Sequence, residues 1–316
     1  MDHSGDGITV IFIAGSARSG STVLDRVLGQ VEGFFSVGEF RLIWEEGFAG
    51  NYLCECGKPF RSCSFWNAVV EEAFGGFDHV DVASFLRLWR AVDRIRNIPQ
   101  LAFPELQSYS FRSVYTEYLD ILSLLYRAIH KLSRGKVIVD SSKTLSHGLL
   151  LNSVRGLDLR VIHLVRDSRA VAFSMQRKKR NPAAGKENIY LGRQGVLASA
   201  RDWLVVNGSI SWLAHFFPRY VLLRYEDFAE QPRKALHEVF SGLGLELSDA
   251  DFIINKRTVK LSLGHMVSGN PMRFQYGEIE LRPDTVWKQE MPISQRLVVS
   301  ALTWPLLLKY GYLRRG

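Results

Sequence analysis

Four short runs of mainly apolar, often β-branched residues recur along the chain, at residues 8–14, 136–140, 160–165 and 220–224. Runs without a regular apolar and polar alternation are typical of strands that are buried on both faces of a parallel sheet. Segments with helical spacing lie between them. The pattern therefore predicts βαβ units, and hence an α/β fold in which a parallel sheet is flanked by helices.

The helical segments are predicted at residues 21–30, at about 168–179 and after Pro232. Residues 44–134 lack the alternation of strands and helices and are rich in Phe, Trp and Tyr. We interpret them as a mainly helical insertion that lies over the sheet. The densest charge run, Arg177-Lys-Lys-Arg180, predicts a solvated helix end at which cations offset the helix dipole.

Composition and charge narrow the function. The 316 residues are 47% hydrophobic and 23% charged, which is ordinary for a globular protein and excludes disordered and fibrous classes. The net charge of +8 favours an anionic partner: a nucleotide, a nucleic acid, an acidic polymer or a membrane surface. The apolar runs at 8–14 and 297–308 are too short to span a membrane, so a cytoplasmic protein without a targeting segment is expected.

The segment after the first predicted strand carries the most informative motif, Gly15-Ser-Ala-Arg-Ser-Gly-Ser-Thr22. A small-residue loop between a buried strand and a helix N-terminus places several backbone N–H groups around one concavity, which favours an anion. The spacing departs from the phosphate-binding pattern G-x-x-x-x-G-K-[ST] at one position, where Ser21 replaces Lys. Arg18 supplies a cation instead. The loop therefore predicts a phosphate site without the Lys that a nucleoside triphosphatase needs.

The run Arg18-Ser-Gly-Ser-Thr22 resembles the [KR]-S-G-[ST]-[ST] motif of sulfotransferases that use 3′-phosphoadenosine 5′-phosphosulfate (PAPS). Its arginine form is typical of the Golgi carbohydrate, protein-tyrosine and many bacterial members, in which the motif binds the 5′-phosphosulfate. The resemblance implies one P-loop-type sulfotransferase domain over residues 1–316, with the 44–134 insertion on the acceptor side. The donor-binding residues implied by this motif are Arg18, Ser19, Gly20, Ser21 and Thr22.

Further segments resemble the same family over residues 136–180, 219–242 and, loosely, 265–312. Arg166 directly follows a predicted strand and Ser174 lies eight residues later, which is the family's arrangement for reading the 3′-phosphate. An Arg at a strand end can bind a phosphate bidentately. Tyr225 lies in a segment whose Tyr approaches the adenosine. The family's late loop closes over the nucleotide, and its candidates here are Ser268, Asn270 and Arg273.

The general base is identified by the same resemblance. Cytosolic aryl sulfotransferases use a His in a Lys-Thr-His segment, whereas this chain has Lys143-Thr-Leu145. Protein-tyrosine members use a Glu that lies 21 residues after the loop's Arg and is followed two residues later by an Arg. Those positions are Glu39 and Arg41, so the resemblance implies Glu39 as base and both residues at the acceptor. His147 is the alternative base.

Lys143 completes the predicted catalytic set. Sulfuryl transfer needs positive charge near the oxygen that departs with the nucleotide, and we assign Lys143 and Arg18 to it. An ion pair of Lys143 with Asp140 is the structural alternative. No metal is expected in the reaction, because these cations replace it.

Cys54, Cys56 and Cys63 are the chain's three cysteines. A metal site, a disulfide and free thiols remain open for them. No His lies within ten residues, so a tetrahedral site would need a fourth ligand from elsewhere. A similar C-x-C-G…C-x-x-W stretch of bacterial sulfotransferases does not decide among the three.

The sequence thus predicts a PAPS-dependent sulfotransferase that releases adenosine 3′,5′-bisphosphate and has no nucleic-acid partner. Its acceptor is a hydroxyl of a small molecule, glycan, lipid or tyrosine. Two alternatives remain. One is a P-loop-like kinase that uses ATP, against which the missing Lys argues. The other is a non-catalytic nucleotide- or nucleic-acid-binding protein, which the net charge permits.

Overall fold

A parallel sheet of five strands forms the centre of the molecule, in the order β2-β3-β1-β4-β5. The structure is a computed structural model, and it describes residues 7–184, 190–247 and 250–313. The predicted α/β class with helices on both faces of the sheet is therefore confirmed. The strands are β1 (Ile8–Gly15), β2 (Phe34–Gly38), β3 (Val137–Lys143), β4 (Leu157–Val165) and β5 (Arg219–Arg224).

The edge strand β2 is the one that the hydrophobic pattern did not predict. It has five residues, and Ser36 and Gly38 interrupt its apolar character. It pairs in parallel with β3, with Phe34 opposite Val137. Because the carboxyl ends of parallel strands share one edge of the sheet, the residue after β2, Glu39, reaches the same edge as Lys143 at the end of β3.

Helices cover both faces of the sheet, and an antiparallel hairpin of β6 (Thr258–Leu261) and β7 (Gly277–Glu280) lies outside it. The helices are α1 (Ser21–Leu28), α2 (Ser64–Phe74), α3 (Val82–Val92), α4 (Ile98–Ala102), α5 (Tyr109–Leu132), α6 (Leu145–Ser153), α7 (Ser168–Gln176), α8 (Val196–Trp212), α9 (Tyr225–Glu230), α10 (Pro232–Gly242), α11 (Trp287–Glu290) and α12 (Ile293–Lys309). Among the helices described, none has the length and apolar character that a membrane crossing requires.

The two faces of β1 belong to two different cores, because successive side chains of a strand point in opposite directions. Val10 and Phe12 pack in the cluster that includes α5 and α6, whereas Ile11 and Ile13 pack in the cluster that includes α1 and α10. All four side chains are fully buried. Burial on both faces explains why the strand has so few polar residues, and it fixes the position of the loop that follows.

Residues 44–134 form helices α2 to α5, a π-helical turn (Ile43–Ala49) and short 3-10 turns. The aromatic residues counted in the sequence make much of their core: Trp44 stacks on Phe48, and Phe60 stacks on Trp66. Phe48 and Phe60 also contact each other, with ring centroids 5.3 Å apart. The division of the chain into one domain with an insertion stays an interpretation.

Candidate active site

The loop after β1 forms one wall of a cleft of about 560 Å³ at the carboxyl edge of the sheet. Gly20 ends the loop and precedes α1, with a φ of 95° that favours glycine. A Cβ atom at this position would lie 2.3 Å from the Tyr225 ring, so a side chain there would displace the loop. Arg18, Gly20, Ser21 and Thr22 all line the cleft. The Val23 and Leu24 N–H groups donate to the Gly20 carbonyl, so the N–H groups of Ser21 and Thr22 are the ones that the helix leaves for an anion.

Two cationic residues of the cleft have a left-handed backbone, which is uncommon outside glycine. Arg18 has a φ of 65° and Lys143 a φ of 68°. Both residues line the cleft: Arg18 belongs to the loop after β1, and Lys143 is the last residue of the neighbouring strand β3. Strained backbone of this kind persists where the surrounding structure enforces it, and it clusters at functional sites. Asn51 and Arg134 share this conformation outside the cleft, so the backbone agrees with a functional role for Arg18 and Lys143 but does not single them out.

Glu39 and Lys143 form an ion pair inside the cleft. The Lys143 Nζ lies 2.5 Å from Oε1 of Glu39, and their side chains are 13% and 20% exposed. Asp140, the alternative partner of Lys143, accepts hydrogen bonds from Tyr126 (2.5 Å) and contacts His147 (3.2 Å) instead. The predicted base and one of the predicted cations are therefore in direct contact, in the cleft that the loop after β1 borders.

Arg166 borders the same cleft, together with Ser174. Its guanidinium donates to the Arg18 carbonyl (2.8 Å) and to the Asp284 carboxylate (2.5 Å), and it lies over the Tyr225 ring. The Nε of Arg166 is buried and has no hydrogen-bond partner among the described residues. A phosphate bound in the cleft would supply an acceptor for a guanidinium that still has an unused donor. The residues present therefore fit a nucleotide phosphate.

Positive charge is concentrated in the cleft. Burial lowers the pKa of Arg18, Glu39 acts against that shift, and Arg166 adds to it. Burial also lowers the pKa of Lys179, and Arg18 and Arg166 lower it further. Such mutual repulsion is relieved when an anion binds between the cations.

Lys179 adds a role to the 177–180 charge run. Helix α7 ends at Gln176, Arg177 is its C-terminal capping residue, and all four residues of the run are exposed, so the predicted solvated helix end is confirmed. Lys179 also lines the rim of the cleft. Glu46 also lines the cleft, and sequence reasoning missed it too. Both residues lie outside the motifs, and the density of charge was the only signal for Lys179.

The late loop closes one side of the cleft. Ser268 and Asn270 line it, as expected for residues near the nucleotide. The Glu39 N–H donates to the Ser268 carbonyl (3.2 Å), and the Asn270 N–H donates to the Thr22 hydroxyl (3.1 Å). The late loop is therefore joined both to the predicted base and to the predicted phosphate-binding segment.

Four predicted site residues do not line the cleft. Arg273 is fully buried and donates to the carbonyls of Gly269 (3.1 Å) and Leu53 (2.9 Å), so it supports the loop from behind. Arg41 pairs with Asp93 (3.1 Å). The other two residues are on the side of the 15–20 loop that faces away from the cleft. The Tyr225 ring packs against Gly20, and the Ser19 side chain is buried.

His147, the alternative base, is fully buried between two carboxylates. Its Nε2 lies 3.2 Å from Asp140, and its Nδ1 lies 3.7 Å from Asp93, which also binds Arg41. Burial opposes the imidazolium, but the two carboxylates outweigh it and raise the pKa of His147 to about 9. This network joins β3, α6 and the insertion beneath the site, which favours a structural role.

The network predicts a pH dependence of stability. The folded pKa of His147 is about 9 and its ordinary value is 6.5, so its contribution is complete below pH 6.5 and is lost as the pH rises toward 9. A shift of this size corresponds to roughly 3 kcal/mol. Burial also raises the pKa of Asp25 to about 8, so this carboxyl titrates in the same pH range. Because Asp25 is present in both proteins, its effect on stability cancels when the variant is compared with wild type. We expect the difference in unfolding free energy between wild type and His147→Gln to shrink from pH 6.5 to 9 in urea titrations. A constant difference would contradict a protonated His147.

A second cavity of about 550 Å³ adjoins the cleft. Lys143 and Met175 border both. Most of the second cavity's wall is apolar, and the main apolar residues are Ile95, Ile98, Leu145, Val171, Trp203 and Val206. Ala17 and Gln194 border both cavities as well, so the cation-rich cleft and the mainly apolar cavity adjoin along four residues, one of which is Lys143.

Comparisons with known proteins agree with this geometry. The model of a family described as "Sulfotransferase family" matches residues 10–249. Carbohydrate sulfotransferase 5 of Mus musculus is 40% identical over 105 residues, which cover 28% of this chain and 26% of the relative. The matched part is thus about a quarter of that relative's length.

Two solved structures share the fold over nearly the whole chain. The sulfotransferase domain of the Synechococcus PCC 7002 olefin synthase has a TM-score of 0.51 at 19% identity and covers 96% of both chains. The sulfotransferase domain from the curacin biosynthetic pathway has a TM-score of 0.50 at 18% identity, and covers 94% of this chain and 97% of that one. At these identities the likeness concerns the fold alone.

Proposed function

The chain belongs to the sulfotransferase family, and we propose that it transfers the sulfuryl group of PAPS to an acceptor hydroxyl. The observation that carries the proposal is that Arg18, Lys143, Glu39 and Arg166 line one cleft, in which Lys143 and Glu39 are in direct contact. Sulfuryl transfer needs this combination, because one group must accept a proton while others stabilise charge on the departing oxygen.

The donor is assigned along the cleft. Arg18 and the N–H groups at the start of α1 hold the 5′-phosphosulfate, with the Ser21 and Thr22 hydroxyls beside them. Arg166 and Ser174 bind the 3′-phosphate, and Lys179 adds charge. Asp284 now uses one side of the Arg166 guanidinium, so a bound phosphate must take its place or share that donor. Ser268 and Asn270 enclose the nucleotide.

In the proposed reaction, PAPS supplies the sulfuryl group, and adenosine 3′,5′-bisphosphate is released. Glu39 takes the proton of the acceptor hydroxyl as its oxygen bonds to sulfur. Lys143 and Arg18 stabilise the negative charge that the bridging oxygen gains as its bond to sulfur breaks. Because an in-line transfer places the attacking and the departing oxygens on opposite sides of sulfur, Glu39 and Lys143 must separate from their ion pair so that each faces one of these oxygens.

Nucleotide preference tests the donor assignment. We expect adenosine 3′,5′-bisphosphate to bind more tightly than ATP with Mg²⁺ in calorimetry, because Ser21 stands where ATP-binding loops have a Lys. The binding should not require Mg²⁺. Tighter binding of ATP with Mg²⁺ would support the kinase alternative and contradict the proposal.

The acceptor is assigned to the second cavity. A hydroxyl there can approach Lys143 and the neighbouring Glu39, while the apolar wall holds the remainder of the molecule. This favours a small molecule or lipid with a substantial apolar part over a glycan or a polar peptide. The cytoplasmic location expected from the sequence remains a proposal as well.

A charge in the apolar wall should impair acceptor binding alone. Ile95 lines the second cavity and is 64% exposed, so Ile95→Asp should leave the fold intact. We expect the KM for the acceptor to rise about 10-fold or more, because an apolar contact is replaced by a charge that must be desolvated. The matched control is Ile293→Asp, a site of 68% exposure on α12. Equal acceptor KM values in the two variants would contradict the assignment.

A further inference from the structure

All three cysteines of the chain meet His265 in one cluster. The Sγ atoms of Cys54, Cys56 and Cys63 and a ring nitrogen of His265 lie within 4.8 Å of one another. The three cysteines are free thiols. His265 is separated from Cys63 by 202 positions, which is why the spacing of the cysteines did not reveal a fourth ligand. The cluster has two buried members, Cys54 and Cys63, and two half-buried ones.

Three of the six separations among the ligand atoms are close to those of a tetrahedral zinc site. Zinc bonds of about 2.3 Å to sulfur and 2.0–2.1 Å to nitrogen place two sulfur ligands roughly 3.8 Å apart and a sulfur and a nitrogen roughly 3.5 Å apart. The Sγ atoms of Cys56 and Cys63 are 3.7 Å apart. Nδ1 of His265 is 3.8 Å from Sγ of Cys54 and 3.2 Å from Sγ of Cys63. These separations exceed a disulfide bond and leave room for one ion among the four atoms.

Backbone structure holds each ligand in place. Cys54 and Cys56 lie on a tight turn, in which the Cys54 N–H donates to the Lys58 carbonyl (2.8 Å) and the Gly57 N–H donates to the Cys54 carbonyl (2.9 Å). Cys63 directly precedes helix α2. The ring of His265 stacks on Phe65, with centroids 5.1 Å apart. The four ligands therefore come from three separate pieces of backbone.

Direct contacts also join the cysteine turn to the late loop. The Glu55 N–H donates to the Met266 carbonyl (3.1 Å), and the Glu55 carboxylate accepts from the Met266 N–H (3.2 Å). The indole N–H of Trp66 donates to the His265 carbonyl (2.8 Å). These contacts lie outside the cluster and hold the ligands together, so the site is preorganised for an ion.

We propose that Cys54, Cys56, Cys63 and His265 bind one structural Zn²⁺ ion. Three thiolates and one imidazole are a typical ligand set for zinc, and four protein ligands fill the coordination sphere. Such a closed site leaves no position for a substrate, and in the part of the chain that the structure describes none of the four residues lines either cavity. The ion has no part in the sulfuryl transfer. It links the insertion to the late loop.

The link has a consequence for the donor cleft. Three residues after His265, Ser268 contacts the backbone of Glu39, and Asn270 contacts Thr22. An ion on His265 therefore fixes the loop that encloses the proposed nucleotide site. We expect removal of zinc to lower both the melting temperature and the affinity for adenosine 3′,5′-bisphosphate, without changing the proton-accepting group.

Zinc content tests the proposal on the full chain. The protein purified under reducing conditions should contain about one zinc ion per chain by inductively coupled plasma mass spectrometry. Replacement by Co²⁺ should give thiolate-to-cobalt charge-transfer bands and the intense visible bands of tetrahedral cobalt. Protein that neither contains zinc nor takes up added Zn²⁺ would overturn the proposal, as would a Cys56–Cys63 disulfide in the purified protein by peptide mass spectrometry.

A matched pair of variants at one position separates metal binding from packing. His265→Cys and His265→Ala both lose the stack on Phe65, but only the cysteine keeps a fourth ligand. We expect His265→Cys to retain zinc and His265→Ala to lose at least ~10–100-fold in zinc affinity, as even weaker perturbations of a zinc ligand do. A chelator should lower the melting temperature of wild type and His265→Cys only. Equal zinc affinity in the two variants would overturn the assignment of His265.

Discussion

Glu39→Gln is expected to lower kcat by ~10²–10⁴-fold, the usual effect of losing a positioned acid–base group. The amide keeps the size of the side chain and one acceptor oxygen, but it cannot take a proton at neutral pH. The affinity for adenosine 3′,5′-bisphosphate should change little, because Glu39 is assigned to the acceptor and not to the phosphates. Steady-state kinetics and calorimetry on the same preparation measure the two quantities.

Glu46→Gln is the control for this prediction. Glu46 lines the same cleft, so its replacement makes the same change of charge without removing the proposed base. The measurements should use the least acidic acceptor that the enzyme converts, since an acidic phenol needs little help from a base. Turnover of Glu39→Gln within a few-fold of wild type would contradict the assignment. The buried position of His147 makes it a poor replacement.

Arg166→Ala is expected to weaken the binding of adenosine 3′,5′-bisphosphate by ~10–100-fold, because a charge-assisted hydrogen bond contributes roughly 1.5–3 kcal/mol. The binding of 5′-AMP, which lacks the 3′-phosphate, should weaken far less. The buried Nε of Arg166, with no partner among the described residues, is the structural reason to expect a specific phosphate contact. Calorimetry with both nucleotides measures the difference.

Arg177→Ala serves as the control for net charge. Arg177 is exposed and pairs with Glu290 outside the cleft, so its loss makes the same change in charge at a distance. We also expect Asp284→Asn to tighten the binding of adenosine 3′,5′-bisphosphate, because it removes the carboxylate that now holds Arg166. An equal loss of affinity for both nucleotides in Arg166→Ala would remove Arg166 from the 3′-phosphate site.

Local signals in the sequence were sufficient for four of the five strands and for the loop that follows β1. The four apolar runs are strands β1, β3, β4 and β5; burial on both faces explains the continuous apolar signal of β1 and β4, whereas the edge strand β5 is only partly buried. Arg18 and Arg166 could be placed at the same edge, since each follows a parallel strand. The structure brings the predicted Glu39 and Lys143 to that edge as well, in direct contact.

Features that depend on distant contacts could not be predicted in the same way. Arg41 and Arg273 match family positions or a basic loop, yet their guanidinium groups bind Asp93 and backbone carbonyls. A cationic side chain near a site can bind the ligand or can hold the surrounding backbone in place. Only the tertiary contacts show which of these two roles it has. The same reason hid His265, whose proximity to the cysteines arises from the path of the late loop.

The most direct test of the central claim is product analysis by mass spectrometry after incubating the full chain with PAPS and a panel of apolar hydroxyl compounds, without Mg²⁺. The proposed function predicts an acceptor that gains one sulfuryl group and an equal amount of adenosine 3′,5′-bisphosphate, both lost in Glu39→Gln. A parallel reaction with ATP and Mg²⁺ should leave the same compounds unmodified. A phosphorylated product in that reaction, with none from PAPS, would contradict the account.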